Sequence, residues 1–288
     1  MIGVPRARCS TSLNSPEMLP FRFISIHGSP RSGTSWLGQI FNSHPEVAYR
    51  YQPLFSYRFK GAIKQESSQE EIERFLHELY TVDSDEFILQ TRQMDRGVHP
   101  VDLAKLPRAT FLVMKEVRYH YVIETLLRQL PGMKVVGIVR HPCGVINSWL
   151  KTPREFKLEW DMLTEWRQAP SKNQGRPEEF YGFEKWRELA TLFLDLSRRY
   201  PESFHLVRYE DLVHSPLETT KRMFAFCGME LPPQTTAFLV TSQAREVEDP
   251  DTVFRSPDVS ERWETQLCSE IREAILREVE GTELKVFL

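Results

Sequence analysis

The chain has 288 residues, of which 41% are hydrophobic and 27% charged, and its formal net charge is -3. This composition is ordinary for a globular enzyme with one sizeable core. We expect a flexible N-terminal tail over residues 1–20 and one domain over residues 21–288. No overall basic field points to nucleic acid or to a membrane surface, so any anion site must be local.

Targeting and redox signals are weak in this sequence. Residues 1–20 contain no apolar run that could form a signal-peptide core. No run elsewhere approaches the roughly 18 apolar residues of a membrane span. The cysteines are far apart and form no metal-ligand pair: Cys9, Cys143, Cys227 and Cys268. These features predict a cytoplasmic protein with free thiols, no membrane span and no metal site.

The predicted elements alternate between strands and helices. Residues 21–28, FRFISIHG, predict a buried strand that ends in glycine, and residues 34–43 have helical apolar spacing. Further strands are predicted at TFLVMKEV (110–117), KVVGIVR (134–140) and FHLVRY (204–209), with helical stretches at YVIETLLRQL and Phe183–Tyr200. This order predicts a single α/β domain with a P-loop-like, central, mostly parallel sheet flanked by helices.

Other local signals concern helix ends and loops. SQEE (68–71) and SPLE (215–218) match the capping box, and Gly228 suits the end of the second of these helices. APSKNQGRPEEF (169–180) predicts an exposed loop. One apolar stripe at helical spacing suits either the core or an acceptor cleft: Phe156, Trp160, Leu163 and Trp166.

The first glycine-rich turn resembles a phosphate-binding loop with one departure. Gly28 and Gly33 have Walker A spacing, but Thr34 stands where lysine would follow. A strand, a turn and a helix N-terminus in this order suit an anion. Arg140 ends a later predicted strand, and Ser148 lies eight residues on, so the two can converge on a second phosphate. The missing lysine and the strand-end arginine argue against a phosphotransferase that uses ATP and magnesium.

Three blocks carry a family resemblance: SPRSGTSWL, VRHPCGVINSWL and LVRYEDLVHSPLETTKRMFAFCGM. Together they resemble the sulfotransferases that use 3'-phosphoadenosine 5'-phosphosulfate (PAPS) as donor. The resemblance implies transfer of a sulfuryl group to a hydroxyl of a small-molecule, lipid or carbohydrate acceptor, with release of 3',5'-ADP and without a metal. It assigns the 5'-phosphosulfate to the loop and the helix start, namely Ser29, Arg31, Ser32, Gly33, Thr34, Ser35 and Trp36.

The resemblance also assigns the rest of the donor site. It places the 3'-phosphate at Arg140 and Ser148, the adenine side at Tyr209 and a late-loop cation at Arg255. Lys115 matches a strand-end lysine close to the transferred group, where an ammonium can stabilise developing charge. Arg118 matches an arginine of carbohydrate-type members, which accompanies that lysine.

The general base is not assigned by the resemblance. Gln52 stands where many carbohydrate-type members carry Glu, and an amide cannot accept the proton of a hydroxyl. Val117 stands where cytosolic members carry the basic His. We favour His120 among the remaining candidates, which also include Glu116, Glu46 and His44. Two alternatives stay open: an acidic phenolic acceptor that needs less help, and a non-catalytic protein that binds PAPS or 3',5'-ADP.

Overall fold

The computed structural model describes residues 19–100, 102–176, 178–245, 247, 249, 252–254 and 260–288. The predicted tail therefore lies almost wholly outside the described residues, as do Cys9 and Arg255. Of the remaining cysteines, Cys143 and Cys227 are buried and Cys268 is half-buried, and all three are free thiols.

In the part of the chain that the structure describes, five parallel strands form one sheet. They are β1 (Arg22–His27), β2 (Val47–Tyr51), β3 (Phe111–Glu116), β4 (Lys134–Val139) and β5 (Phe204–Arg208). The order across the sheet is β2-β3-β1-β4-β5, and every neighbouring pair runs parallel. This confirms the predicted α/β fold, and it adds β2, which the sequence reading did not identify.

Helices cover both faces of the sheet. They are α1 (Thr34–Asn42), α2 (Gln69–Tyr80), α3 (Glu86–Leu89), α4 (Thr91–Asp95), α5 (Val122–Gln129), α6 (Pro142–Leu150), α7 (Met162–Gln168), α8 (Pro170–Asn173), α9 (Phe183–Arg199), α10 (Tyr209–His214), α11 (Pro216–Cys227), α12 (Pro233–Ala244), α13 (Trp263–Gln266) and α14 (Ser269–Glu280). Short 3-10 helices span Pro53–Phe55 and Glu283–Phe287. Within the described part of the chain, no helix has the length and apolar character needed to cross a membrane.

The strands are buried on both sides because their side chains alternate between two cores. Ile24 and Ile26 of β1 pack with α1, α11 and α12 on one face. Phe23 of β1 packs on the opposite face with α2, α5, α9 and α14. A strand that is apolar on both faces is the expected result in a parallel sheet covered by helices. This is why β1, β3 and β4 were recognisable as continuous apolar runs.

One local prediction is confirmed and two need correction. The box at Ser68 forms with Glu71, but the Ser215 side chain makes no capping hydrogen bond, although α11 does begin at Pro216 and end at left-handed Gly228. The predicted exposed loop 169–180 contains α8 and buries its ends at Ala169 and Phe180, because both pack into the core.

The apolar stripe divides between two environments. Phe156 and Trp166 are buried in the core, whereas Leu163 is 46% exposed. Trp160 packs partly buried against the same core. Most of the stripe therefore packs on the core, which is one of the two roles predicted for it.

The carboxyl ends of all five strands lie at one edge of the sheet. The chain leaves β1 for β2 and β3 on one side and then crosses to β4 and β5 on the other, so the topology reverses at β1. Ligands of open α/β sheets bind at such an edge, beside the reversal point. The glycine-rich loop begins there, at Gly28.

Candidate functional site

The loop between β1 and α1 depends on glycine at its last position. Gly33 has φ +86°, and a Cβ there would lie 2.4 Å from Cδ2 of Tyr209. The ring of Tyr209 therefore closes over the loop, and only glycine fits beneath it. Ser29 and Ser32 tie the loop internally by a 2.6 Å hydrogen bond between their hydroxyls.

Arg31 occupies a strained position in the middle of this loop. Its φ is +70°, an unusual value for a residue with a side chain. Its Nε donates to the hydroxyl of Ser148 on α6 over 3.1 Å. Gln52, at the end of β2, is also left-handed, with φ +41°. Backbone strain of this kind concentrates at functional sites, and both residues line the cleft described below.

Arg140, directly after β4, is packed against the same loop. Its guanidinium lies 4.6 Å from the ring centroid of Tyr209, and its Nη1 donates to the backbone oxygen of Arg31 over 3.2 Å. The indole of Trp186 donates to the backbone oxygen of Arg140 over 3.0 Å, which fixes the strand end. The structure thus brings together Arg31, Arg140, Ser148 and Tyr209, although they lie on four separate segments.

A cleft of about 360 Å³ opens above the strand ends. Most of the predicted donor residues line it, namely Arg31, Gly33, Thr34, Ser35, Trp36, Lys115, Arg140, Ser148 and Tyr209. Ser29 and Ser32 are buried beneath it and are not part of this lining. Arg255 lies outside the described residues, so its assignment stays a prediction.

Several residues of the cleft lining suit a flat, uncharged ring. Trp36 lines it, and its indole nitrogen donates to the hydroxyl of Ser242 over 2.9 Å, so the ring is held in place. Val213, Thr252 and Val253 line the same cleft, although the sequence reading did not select them. An aromatic ring beside small apolar groups can stack on a nucleobase.

Lys115 lies in β3, next to β1, and its ammonium faces the cleft. The residue is 1% exposed, and its Nζ lies 4.3 Å from the ring centroid of Tyr51. Burial lowers the pKa of Lys115 to about 7, against the opposing effect of Glu116, and the charges of Arg118 and Arg31 lower it further. A negatively charged ligand would restore the proton, because an opposite charge favours the ammonium form.

A polar network around Arg118 forms another part of the cleft lining. Arg118 donates from Nη1 to Oε1 of Gln52 over 2.7 Å and from Nη2 to the hydroxyl of Tyr181 over 3.4 Å. Tyr181 is in turn hydrogen-bonded to the carboxylate of Glu155. Lys172 makes a 2.7 Å ion pair with Oε2 of Glu155. Sequence reasoning missed Glu155 and Tyr181, because neither belongs to a motif.

His120, the favoured base, lies outside the lining of the cleft. It is 5% exposed, and its Nδ1 lies 3.2 Å from Nδ1 of His27 beneath the loop. Its Nε2 is buried without a hydrogen-bond partner among the described residues. Burial, followed by the charge of His27, lowers the pKa of His120 well below its ordinary value. The structure therefore does not bring His120 together with Lys115 in the cleft.

The other base candidates also lie outside the cleft lining. Glu116 faces the opposite side of β3, where its Oε1 accepts from the backbone of Leu54 over 2.8 Å, and burial raises its pKa to about 8. His44 is buried after α1 and accepts from the backbone of Glu46 over 3.1 Å. Across the described ranges, no group of three or more His, Cys, Asp or Glu side chains could hold a metal ion.

Comparisons with known proteins agree on one family. A family model described as "Sulfotransferase family" matches residues 24–233. Carbohydrate sulfotransferase 1 of Danio rerio is 24% identical over 270 residues, which cover 72% of this chain and 62% of that protein. Carbohydrate sulfotransferase 6 of Homo sapiens is 24% identical over 265 residues, which cover 75% of this chain and 66% of that protein. The chain thus matches slightly less than two thirds of the length of these relatives.

Two solved structures resemble the fold. The sulfotransferase domain of the Synechococcus olefin synthase has a TM-score of 0.52 and 18% identity, over 92% of this chain and 96% of that one. A mouse sulfotransferase solved in complex with PAP has a TM-score of 0.54 and 13% identity, over 93% of this chain and 91% of that one. At these identities the likeness shows the shared fold.

Proposed function

The chain belongs to the sulfotransferase family, and we propose that it transfers the sulfuryl group of PAPS to an acceptor hydroxyl and releases 3',5'-ADP. The observation that carries this proposal is one cleft whose lining includes basic side chains from three neighbouring strand ends, Arg31, Lys115 and Arg140. A donor with anionic groups at both the 3' and the 5' position needs cations at separate points of one cleft.

The proposed chemistry uses these charges on the leaving group. The acceptor oxygen attacks sulfur in line with the bridging oxygen, and the bond from sulfur to that oxygen breaks. Arg31 and Lys115 stabilise the charge that develops on the leaving phosphate. Arg140 holds the 3'-phosphate, and the rigid position of its guanidinium over Tyr209 fixes the register of the donor. Trp36 stacks on the adenine.

We propose a carbohydrate hydroxyl as the first acceptor class to examine. The relatives reported above are named carbohydrate sulfotransferases, which supports this choice. The acceptor side of the cleft combines aromatic rings, Tyr51, Phe87 and Tyr181, with an amide and charged groups. Such a surface can stack on the apolar face of a sugar and bond to its hydroxyls.

Thermal melting tests the donor site directly. Purified protein is melted with 3',5'-ADP, with 5'-ADP, and with ATP plus magnesium, because a ligand that binds the native state raises its apparent stability. We expect 3',5'-ADP to stabilise far more than 5'-ADP at equal concentration. Stabilisation by ATP with magnesium alone would refute the proposal and favour a phosphotransferase.

Turnover separates an enzyme from a binding protein. Gln52 stands where many carbohydrate-type members carry a carboxylate. The second candidate function is therefore a protein that binds the donor without transferring its sulfuryl group. The protein is incubated with PAPS and a panel of mono- and disaccharides, and 3',5'-ADP release is measured. Sulfated product supports the enzyme, whereas binding of 3',5'-ADP without release from PAPS supports the second candidate.

A further inference from the structure

The acceptor hydroxyl requires a proton acceptor in the cleft. Lys115 is assigned to the leaving phosphate, and among the other described residues that line the cleft two side chains could serve: Glu155 and His99. Gln39 donates from its amide nitrogen toward Nδ1 of His99 over 3.3 Å. Its orientation is fixed, because that nitrogen also donates to Gln90 and its oxygen accepts from Asn42. A neutral His99 in this pairing carries its proton on Nε2, so Glu155 is the better acceptor.

Glu155 is positioned by the same helix that carries Ser148. The hydroxyl of Thr152 donates to the backbone oxygen of Ser148 over 2.7 Å, and the backbone of Glu155 donates to that of Thr152 over 2.9 Å. The turn after α6 is thus tied to the helix end that contacts Arg31. Ser148 and Glu155 therefore line the same cleft from consecutive turns.

The carboxylate is oriented and kept ionised by its partners. Burial raises the pKa of Glu155, but the hydrogen bond and charge of Lys172 lower it more, with help from Tyr181 and Arg118. The pKa therefore lies below its ordinary value, and the group is an anion at neutral pH. Two of the several lone pairs of a carboxylate are used by Lys172 and Tyr181, which leaves others for a substrate.

The network also relates Glu155 to Gln52. Arg118 contacts both the amide of Gln52 and the hydroxyl of Tyr181, and Tyr181 contacts Glu155. A carboxylate at residue 52 would pair with Arg118 from one side of the cleft. In this chain an uncharged amide occupies that side, and the nearest carboxylate in the cleft lining comes from the turn after α6.

We propose that Glu155 is the general base of the transfer. As the acceptor oxygen forms its bond to sulfur, Glu155 takes the hydroxyl proton and becomes a neutral carboxylic acid. The bond from sulfur to the bridging phosphate oxygen breaks, and 3',5'-ADP leaves with that electron pair. Lys172 is a positioning residue, because it holds the carboxylate without touching the reacting atoms. This inference rests on the proposed sulfuryl transfer.

The first test compares Glu155→Gln with a matched control, Glu179→Gln. Glu179 lies 3.6 Å from Arg118 and 3.8 Å from Lys172 but does not line the cleft. PAPS turnover is measured with the saccharide panel and, where no saccharide reacts, with water as acceptor. We expect Glu155→Gln to lower kcat by roughly 100-fold or more, the usual range for a lost base. Glu179→Gln should stay within about threefold of wild type, because Glu179 pairs with the same two cations but does not line the cleft.

A second readout distinguishes a base from a structural residue. An acidic phenol, p-nitrophenol, needs less help with its proton than an aliphatic alcohol, so the loss in Glu155→Gln should be several-fold smaller with the phenol. An equal loss with both acceptors would overturn the proposal. So would a kcat of Glu155→Gln within threefold of wild type, or a loss that appears in His120→Asn instead.

Binding of 3',5'-ADP distinguishes a failure of the Glu155 assignment from a failure of the proposed sulfuryl transfer. Melting with 3',5'-ADP should give wild-type stabilisation in Glu155→Gln, which also shows that the variant is folded. If wild type neither binds 3',5'-ADP nor consumes PAPS, the proposed function itself fails. If wild type does both and Glu155→Gln does both equally well, only the assignment of the base fails.

Discussion

The buried ammonium of Lys115 should make donor affinity depend on pH. The ordinary pKa of lysine is 10.5 and that of Lys115 is about 7, because burial disfavours the charged form. At ~1.4 kcal/mol for each pH unit above the pKa, protonating Lys115 in the free site costs roughly 3 kcal/mol at pH 9. The phosphates of the ligand supply an opposing charge, so the bound state retains the proton and the free state loses it.

The sign and size of the effect follow from this difference. Above pH 7, binding 3',5'-ADP must take up one proton, so the affinity should fall about tenfold per pH unit and roughly 100-fold between pH 7 and 9. Isothermal titration calorimetry in buffers of different ionisation enthalpy measures both the Kd and the proton uptake. The ligand phosphates are already dianionic in this range, since their second pKa is about 6.

Two variants test whether Lys115 causes this pH dependence. Lys115→Met should bind weakly and independently of pH, because its side chain has no proton to lose. Glu116, whose pKa burial raises to about 8, titrates in the same window. Glu116→Gln should therefore keep a falling affinity above pH 7. A flat profile in wild type, or an equal slope in Lys115→Met, would refute the assignment of this pH dependence to Lys115.

Three further outcomes are expected. Arg140→Met should weaken 3',5'-ADP by roughly 10- to 100-fold, the value of a charged hydrogen bond, and leave 5'-ADP nearly unchanged in calorimetry; equal losses would contradict the 3'-phosphate assignment. Gly33→Ala should lower the free energy of unfolding in urea by ~1–3 kcal/mol, because a Cβ at φ +86° meets Tyr209; an unchanged midpoint would contradict this. Burial lowers the pKa of His27 to about 3, so the unfolded chain binds a proton from pH 6.5 downward before the folded chain does. Stability should fall as the pH drops from 6.5 to 3, by up to ~5 kcal/mol, and a slope in His27→Asn that matches wild type would refute this.

The sequence predicted four of the five strands of this sheet but not β2, which is one of the two edge strands. β1, β3 and β4 are buried on both faces, so each appears as an apolar run. β2 contains Arg50, whose guanidinium donates to the backbone oxygens of Leu79, Tyr80 and Val82 at and just after the end of α2. Arg50 binds carbonyl groups that lie some 30 residues away in the sequence. A buried arginine of this kind interrupts the apolar pattern by which a strand is recognised.

Spacing along the sequence did not identify the proposed general base. His120 lies five residues after Lys115, which suggested proximity, but the chain turns through a left-handed residue at Tyr119, with φ +56°. That turn takes His120 under the sheet to His27. Glu155, by contrast, is 40 positions from Lys115 in the numbering and reaches the cleft only because the turn after α6 folds back. Local periodicity does not encode such a contact.

The strand order explains how this loop works without the Walker lysine. Thr34 replaces that lysine, so the cations must come from outside the helix start. β3 and β4 are the two neighbours of β1, and Lys115 and Arg140 stand at their carboxyl ends, on either side of the loop that carries Arg31. Arg31 is close to both of the others, because its backbone oxygen accepts from Arg140 and its charge lowers the pKa of Lys115. A donor with phosphate groups at two positions offers several anionic oxygens to these three side chains.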